Sequence, residues 1–439
     1  MNNEILVYAQ QLTPRVKYAV EVLLRDLLSL QVSFTSDKES FIEFHGSKIS
    51  YSYQPVCEAL NFVPHGLLFE RGIEQFDVHV FETDLGKGMF KVNESPFEFD
   101  VFSATFYLVT RYEEYLPHVK DKHGRFSAKH SIAYKNDFLI QPIVNQWAQV
   151  LQKILEQNIP SLNLSPSPKK FSVNPTIDVD SAFAFKHKGL VRTIAGCAKD
   201  VFSGEFNALK HRVSAILGKV SDPFDVFDQL IKYQNQYGWR FTYFFLVGDY
   251  DKNDKNISIT SRKFQSVIKH VNDYSSVGLH PSFASNENKA KLVNEVNRLS
   301  GVLHYPVKSS RQHFLKLHLP ATYRNLLELG ITDDYSMGYP EESGFRASIC
   351  SPFYFYDLEL EVETNLLVHP FCFMEATYKY YHPKNPQEMT NKAVQFAKTV
   401  QQVNGEFCFV WHSDSISGEE PWKGWEGALE KTLFALNRL

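Results

Sequence analysis

Apolar residues repeat along this chain in two rhythms, and the change between them falls near residue 165. Before it the pattern is mixed. Ile5 to Tyr8 predicts a short first strand, and Thr13-Pro14 then caps a helix carrying Val16, Ala19, Val20, Leu23, Leu24 and Leu27 at helical spacing. Short runs such as Ile42 to Phe44 and Phe76 to Phe81 predict strands, and FSATFYLVTRYEEYL from Phe102 predicts a second helix. Asp121 to Phe126, DKHGRF, reads as a turn. Residues 1–165 thus predict a small α+β domain. In SLNLSPSPKK, Pro166 and Pro168 alternate with serines, which resists helix and buries little, so residues 166–170 predict a linker.

From residue 171 the pattern becomes strand, helix, strand, helix. Phe241 to Val247 is an apolar run fit for a buried strand. Phe264, Val267, Ile268 and Val271 fall at i, i+3, i+4 and i+7, an amphipathic helix. Val277 to Leu279 and Phe407 to Trp411 predict further strands, and Leu429 to Leu436 predicts the closing helix. Alternation across residues 171–439 predicts a parallel (β/α) barrel or an open doubly wound sheet.

Composition narrows the function classes. The chain has 439 residues, 44% hydrophobic and 22% charged, which excludes a mainly disordered protein. Its net charge is −4 and no block of five like charges occurs, so neither nucleic acid nor an anionic membrane is an expected partner. Five scattered cysteines without a Cys-x-x-Cys exclude a disulfide framework or a zinc–thiolate knot. No run of about 18 apolar residues predicts a membrane span. Met1 to Gln10 lacks the pattern of a signal peptide, so the expected location is cytoplasmic.

Candidate chemistry gathers at predicted strand ends. FSVNPTIDVD places Asp178 and Asp180 two apart, on one face of a strand. Two carboxylates forced together there repel unless a cation or an arginine lies between them. VGLH ends in His280, SSRQHF brings Arg311 and His313, and FCFVWHS brings His412 just past an apolar strand. One histidine at a strand end is usually a packed residue. Three at successive strand ends, beside Asp-x-Asp, are the ligand types of a catalytic zinc-like site with an open position. His369 reads as structural, and Arg111, Glu113 and Glu114 read as an interdomain or helix-surface charge cluster. Trp422 and Trp425, at i and i+3, read as seating the last helix.

These motifs resemble, in order, those of the polysaccharide deacetylases of carbohydrate esterase family 4, over about residues 171 to 439. The first 165 residues look like an uncharacterised domain preceding some divergent bacterial members. The resemblance implies a distorted (β/α) barrel, preceded by the smaller domain. It implies a hydrolase that removes an acyl group, N-acetyl foremost, from a saccharide or glycan precursor. TIDVD is similar to the first motif, which implies Asp178 as general base and Asp180 as metal ligand. GLHPSFAS resembles half of the second: His280 matches a ligand, but Ala284 stands where a second histidine is usual. Arg311 matches the arginine that orients the base. His313 stands where the family usually has proline, and it is the expected third ligand to a divalent metal, zinc in the first instance. VWHSDS implies His412 as general acid, with Asp334 of ITDDYSMGY, or its neighbour Asp333, as the carboxylate that orients it. Beside the resemblance, Arg346 after the Tyr- and acid-rich loop reads either as a substrate contact or as a loop-bracing salt bridge, and Trp411 as a surface for a sugar face. Ala284 motivates the alternative of an inactive deacetylase-fold protein that binds glycans or a partner.

Overall fold

The computed structural model describes residues 3–162, 164 and 170–439; of the expected linker, only Lys170 falls among them. The first strands are β1 (Glu4–Ala9), β2 (Gln31–Thr35), β3 (Lys48–Tyr51) and β4 (Leu60–Phe62), paired in the order β2-β1-β3-β4. All three pairings are parallel. An antiparallel hairpin follows, β5 (Val80–Thr83) and β6 (Gly86–Met89). A parallel sheet needs crossovers, and the first is the helix Pro14–Glu21, whose start the Thr13 hydroxyl caps by accepting from the Val16 N–H at 3.1 Å. This part is therefore more α/β than the expected α+β. The helix expected from Phe102 runs over Val101–Val109, capped by Asp100 and buried on every side.

The larger sheet has nine strands: β7 (Ser172–Val179), β8 (Thr242–Leu246), β9 (Ser276–His280), β10 (Ser309–Ser310), β11 (Asp333–Asp334), β12 (Phe353–Asp357), β13 (Val362–Val368), β14 (Phe373–Met374) and β15 (Glu406–His412). Their order is β12-β13-β11-β10-β9-β8-β7-β15-β14, parallel except where β12 meets β13. Helices such as Arg262–Tyr274, which buries Phe264, Ile268 and Val271, connect the strands. Strong curling is evident from side-chain reach. Arg311, just past β10, touches Thr176 and Asp178 on β7, three strands away, although flat strands would lie roughly 14 Å apart at that separation. His369, just past β13, lies 3.8 Å from Glu406 on β15. Among the described residues β12 and β14 do not pair, so the sheet curls without the closure expected of a barrel.

Two local features keep this sheet intact. Pro175 sits within β7 and has no N–H, but the adjacent Thr176 hydroxyl donates to the Phe409 carbonyl on β15 at 2.6 Å. On β9, a Cβ at Gly278 would lie 2.6 Å from the Phe244 ring and 2.9 Å from the Ser309 carbonyl. Only glycine lets Phe244 lie there, with the Arg311 guanidinium 4.7 Å from its centroid.

The change of rhythm near residue 165 is not a gap in packing. One apolar core runs through both parts. Tyr356 of β12 lies between Tyr18 and Phe106, at 4.9 and 5.2 Å between ring centroids. The charge cluster is buried at the same boundary. Glu114 takes Arg346 through both oxygens, at 2.9 and 2.5 Å, and Arg111 at 2.8 Å. Arg111 also donates to the Tyr339 hydroxyl at 3.0 Å.

One insertion carries no expectation from the sequence. Between β7 and the helix Phe227–Tyr237, the helices Leu190–Phe202 and Phe206–Ile216 form a hairpin. Only Asp200 and Ala215 of these two helices are buried. Asp222 pins its ends together by accepting from the Ala184, Phe185 and Lys186 N–H groups at 2.7, 2.9 and 2.8 Å.

Candidate functional site

Parallel strands in register bring their carboxyl ends to one edge, and the candidate residues lie there. His412 pairs with Asp178 across β15 and β7, and His280 pairs with Leu246 across β9 and β8. Alternation along β7 turns Thr176, Asp178 and Asp180 to one face. Arg311 and His313 share a face past β10 in the same way. A cleft of about 190 Å³ opens on Asp178, Asp180, His280, His313 and His412. Outside the carboxyl ends of the strands is the usual place for a ligand in an open α/β sheet.

Asp180, His280 and His313 offer ligand atoms that all lie within 4.8 Å of one another. His280 Nε2 is 3.3 Å from Asp180 Oδ1, and His313 Nε2 is 3.6 Å from Asp180 Oδ2. The far side of each imidazole is already engaged. His280 Nδ1 donates to the Arg311 carbonyl at 2.5 Å, and His313 Nδ1 meets Asp254 Oδ1 at 2.8 Å. This leaves both Nε2 atoms aimed at Asp180, whose buried Oδ1 has no hydrogen-bond partner. Two oriented imidazoles and one under-used carboxylate suit a divalent cation, and an outer carboxylate on a ligand histidine is a recurrent support. Burial opposes ionisation of Asp180, but His313 and His280 outweigh it and hold its carboxyl well below the usual range. Burial lowers His313 while Asp180 and Asp254 raise it more, to about 9.

Asp178 and His412 flank these three. Arg311 Nη1 donates to Asp178 Oδ1 at 2.9 Å and to the Thr176 hydroxyl at 2.7 Å, and Nε donates to the Tyr335 carbonyl at 2.9 Å. Asp178 Oδ2 is then left 3.8 Å from His280 Nε2, facing the ligand cluster. His412 Nδ1 meets Glu375 Oε1 at 2.9 Å, and the same oxygen accepts the His412 backbone N–H at 2.7 Å. Burial would lower the His412 pKa, yet Glu375, with Asp180 and Asp178 beyond it, raises it well above the ordinary value. A carboxylate held by Arg311 and an imidazole held by Glu375 thus share one cleft.

Three expected site residues lie elsewhere. Asp334 does not reach His412; it accepts from the Ser310 and Ser336 hydroxyls at 2.8 and 2.9 Å and ties β11 to β10. Its neighbour Asp333 is held by His369 at 2.9 Å. The carboxylate on His412 is Glu375, at the start of the helix Glu375–Tyr380. Its signal in the sequence was the same as that of the histidines, an ionisable residue just past an apolar run (Phe371 to Met374). Arg346 is not at the cleft, because its guanidinium is spent on Glu114 and the Gly338 carbonyl. Trp411 alternates with His412 on β15, so it points the other way and is buried. Asp254 had no sequence signal, since DKNDKN reads as a solvated loop. Yet it accepts from the Phe283 and Ala284 N–H groups at 2.8 and 3.2 Å as well as holding His313. The Asp121–Phe126 turn also reaches the site: Arg125 lines the cleft and donates to the Phe314 carbonyl at 2.6 Å.

Comparison with solved structures gives distant likenesses. A Mycobacterium smegmatis protein provisionally named a polysaccharide deacetylase shares 13% identity at a TM-score of 0.40, over 63% of this chain and 86% of that one. The polysaccharide deacetylase Bc1974 from Bacillus cereus shares 13% identity at 0.31, over 62% and 88%. BA3943 from Bacillus anthracis, described as a pseudoenzyme of carbohydrate esterase family 4, shares 10% identity at 0.31, over 64% and 67%. A search of curated proteins finds no match. Residues 5–160 match a family of unknown function, DUF7033.

Proposed function

We propose that this chain is a metal-dependent hydrolase that removes an acyl group, N-acetyl foremost, from a saccharide or glycan precursor. The observation that carries the reading is the meeting, in one cleft, of a cation-ready Asp180–His280–His313 cluster with a carboxylate on one side and an imidazole on the other. A divalent cation, zinc in the first instance, would supply polarisation of the acyl carbonyl and acidification of a water. Asp178, oriented by Arg311, takes the proton of the attacking water through Oδ2. His412, kept protonated by Glu375, gives its proton to the leaving nitrogen or oxygen. Phe314, Leu315, Met374 and Tyr380 line the same cleft and would supply its less polar walls to the acyl group.

The test is metal content and hydrolysis on the full chain, across a panel of N- and O-acetylated sugars. The expected result is one divalent ion per chain and an activity that a chelator removes and zinc restores. A chain that takes up no divalent ion after dialysis against zinc would end the proposal. Ala284, the motive for an inactive binding protein, gives its backbone N–H to the carboxylate that supports His313. That supports a rearranged ligand set over a lost one.

A further inference from the structure

We propose that the hairpin of helices Leu190–Phe202 and Phe206–Ile216 is a docking surface for an anionic lipid bilayer. Its apolar side chains face solvent. Phe202 is 89% exposed, Val191 82%, Leu190 76% and Phe206 65%. Leu190, Ile194 and Val201 recur at i, i+4 and i+11 along one face of the first helix, and Val213, Ile216 and Val220 continue the exposure along and beyond the second. A contiguous apolar surface of this kind marks an interaction site rather than scattered surface residues.

The face is not merely a misplaced core face, because the hairpin already has an inner side. Arg212 bonds Asp200 at 2.6 Å, has its guanidinium 4.6 Å from the Phe185 ring centroid, and crosses Gly196 where a Cβ would lie 2.6 Å from its Nη1. His211 meets Glu419 at 2.9 Å. These contacts give the hairpin an inner side against Phe185 and Glu419 and leave the apolar side outward.

Charge identifies the occupant. Residues 186–220 carry seven Lys or Arg against two acids, in a chain whose net charge is −4. One of the acids, Asp200, is buried and neutralised by Arg212, whereas Lys199, Lys210 and Lys219 are exposed. Outward apolar residues with lysines among them describe an interfacial amphipathic element. A symmetric pairing of two hairpins would set one basic surplus against another, which disfavours a second copy. No helix of the described residues is long and apolar enough to cross a membrane, so the hairpin lies in the interface. It leaves the sheet directly after β7, which carries Asp178 and leads to Asp180. Docking therefore turns the candidate site's end of the sheet toward the lipid.

The test is sedimentation of the full chain with vesicles of phosphatidylcholine, with and without phosphatidylglycerol. The expected result is binding to the mixed vesicles on the order of 10²-fold stronger than to phosphatidylcholine alone, and weakening with salt. Phe202→Ser combined with Phe206→Ser should lower binding about tenfold or more, with an unchanged circular dichroism melt because both side chains are exposed. Lys199→Glu with Lys210→Glu should remove the preference for phosphatidylglycerol. Absence of binding, equal binding to both vesicles, or binding unaffected by either double variant would overturn the proposal. So would a concentration-dependent dimer, dissolved by the phenylalanine variants, in a chain that ignores vesicles.

Discussion

Asp178 and Asp180 stand two residues apart on one strand, yet their surroundings separate their tasks. Arg311 occupies one oxygen of Asp178, while Asp180 faces two imidazoles. Asp178→Asn should therefore keep the metal and lose roughly 10²–10⁴-fold in turnover, whereas Asp180→Asn should lose metal and turnover together. Metal content and rate, measured on each folded variant, distinguish these outcomes from a turn whose aspartates serve only structure. Asp254→Asn tests the outer support. It should weaken metal affinity by about 10–100-fold while leaving the three ligands in place, as read by competition with a chelating dye. Glu375→Gln should leave metal content unchanged and cut turnover most for substrates with poor leaving groups, since it removes the partner that holds the His412 proton.

At the scale of elements, what the sequence disclosed depended on whether a residue's role is local. Strand ends with an ionisable residue after an apolar run are local signals, and Asp178, Asp180, His280 and His412 could all be found that way. So could the alternation of strand and helix after residue 171. His313, by contrast, follows the polar SSRQ and is reached only through the missing ligand at Ala284. Partner choice is not local: Glu375 follows the short β14 and Asp334 ends the short β11, and only the strand order, which sets β14 beside β15, decides which one lies under His412. Asp254 was hidden because a buried carboxylate in a polar loop looks like any solvated one. The hairpin was hidden for the opposite reason, since apolar spacing cannot say whether a stripe faces a core or water. Gly278 shows how tightly the elements are set. Gly278→Ala should push the Phe244 ring against Arg311, costing about 1–3 kcal/mol in stability, and it should lower turnover without loss of metal. Denaturant midpoints with metal analysis would read both effects.

Over the whole molecule, buried charge ties the first 160 residues to the sheet. Burial alone would raise the Glu114 pKa, but Arg346 and Arg111 bring it down to about 2. Removing that charge strands the buried Arg346 guanidinium, while Arg111 keeps Glu113 at 2.8 Å, so Glu114→Gln should cost roughly 3–5 kcal/mol and lower one shared unfolding transition rather than one of two. A second charge cluster, His369 with Asp333 and Glu406, joins β11 and β15. Burial lowers His369, but Asp333 and Glu406 raise it to about 8, and its ring stacks on Tyr335 at 4.2 Å. Its folded pKa lies above the unfolded value near 6.5, so its contribution is complete below about pH 6.5 and disappears as pH rises through about 8. The difference is of order 2 kcal/mol. His369→Phe, which preserves the stack, should flatten that part of the stability profile, as measured by urea denaturation on either side of the window.

Asp222 holds three N–H groups that lie just before the hairpin, while itself standing just after it. The two ends of nearly forty residues are therefore neighbours in space, fastened at a single carboxylate. Such an insertion is modular. A short bridge from Ala184 to Asp222 would excise it without moving a strand, and a fluorescent reporter could be grafted in its place.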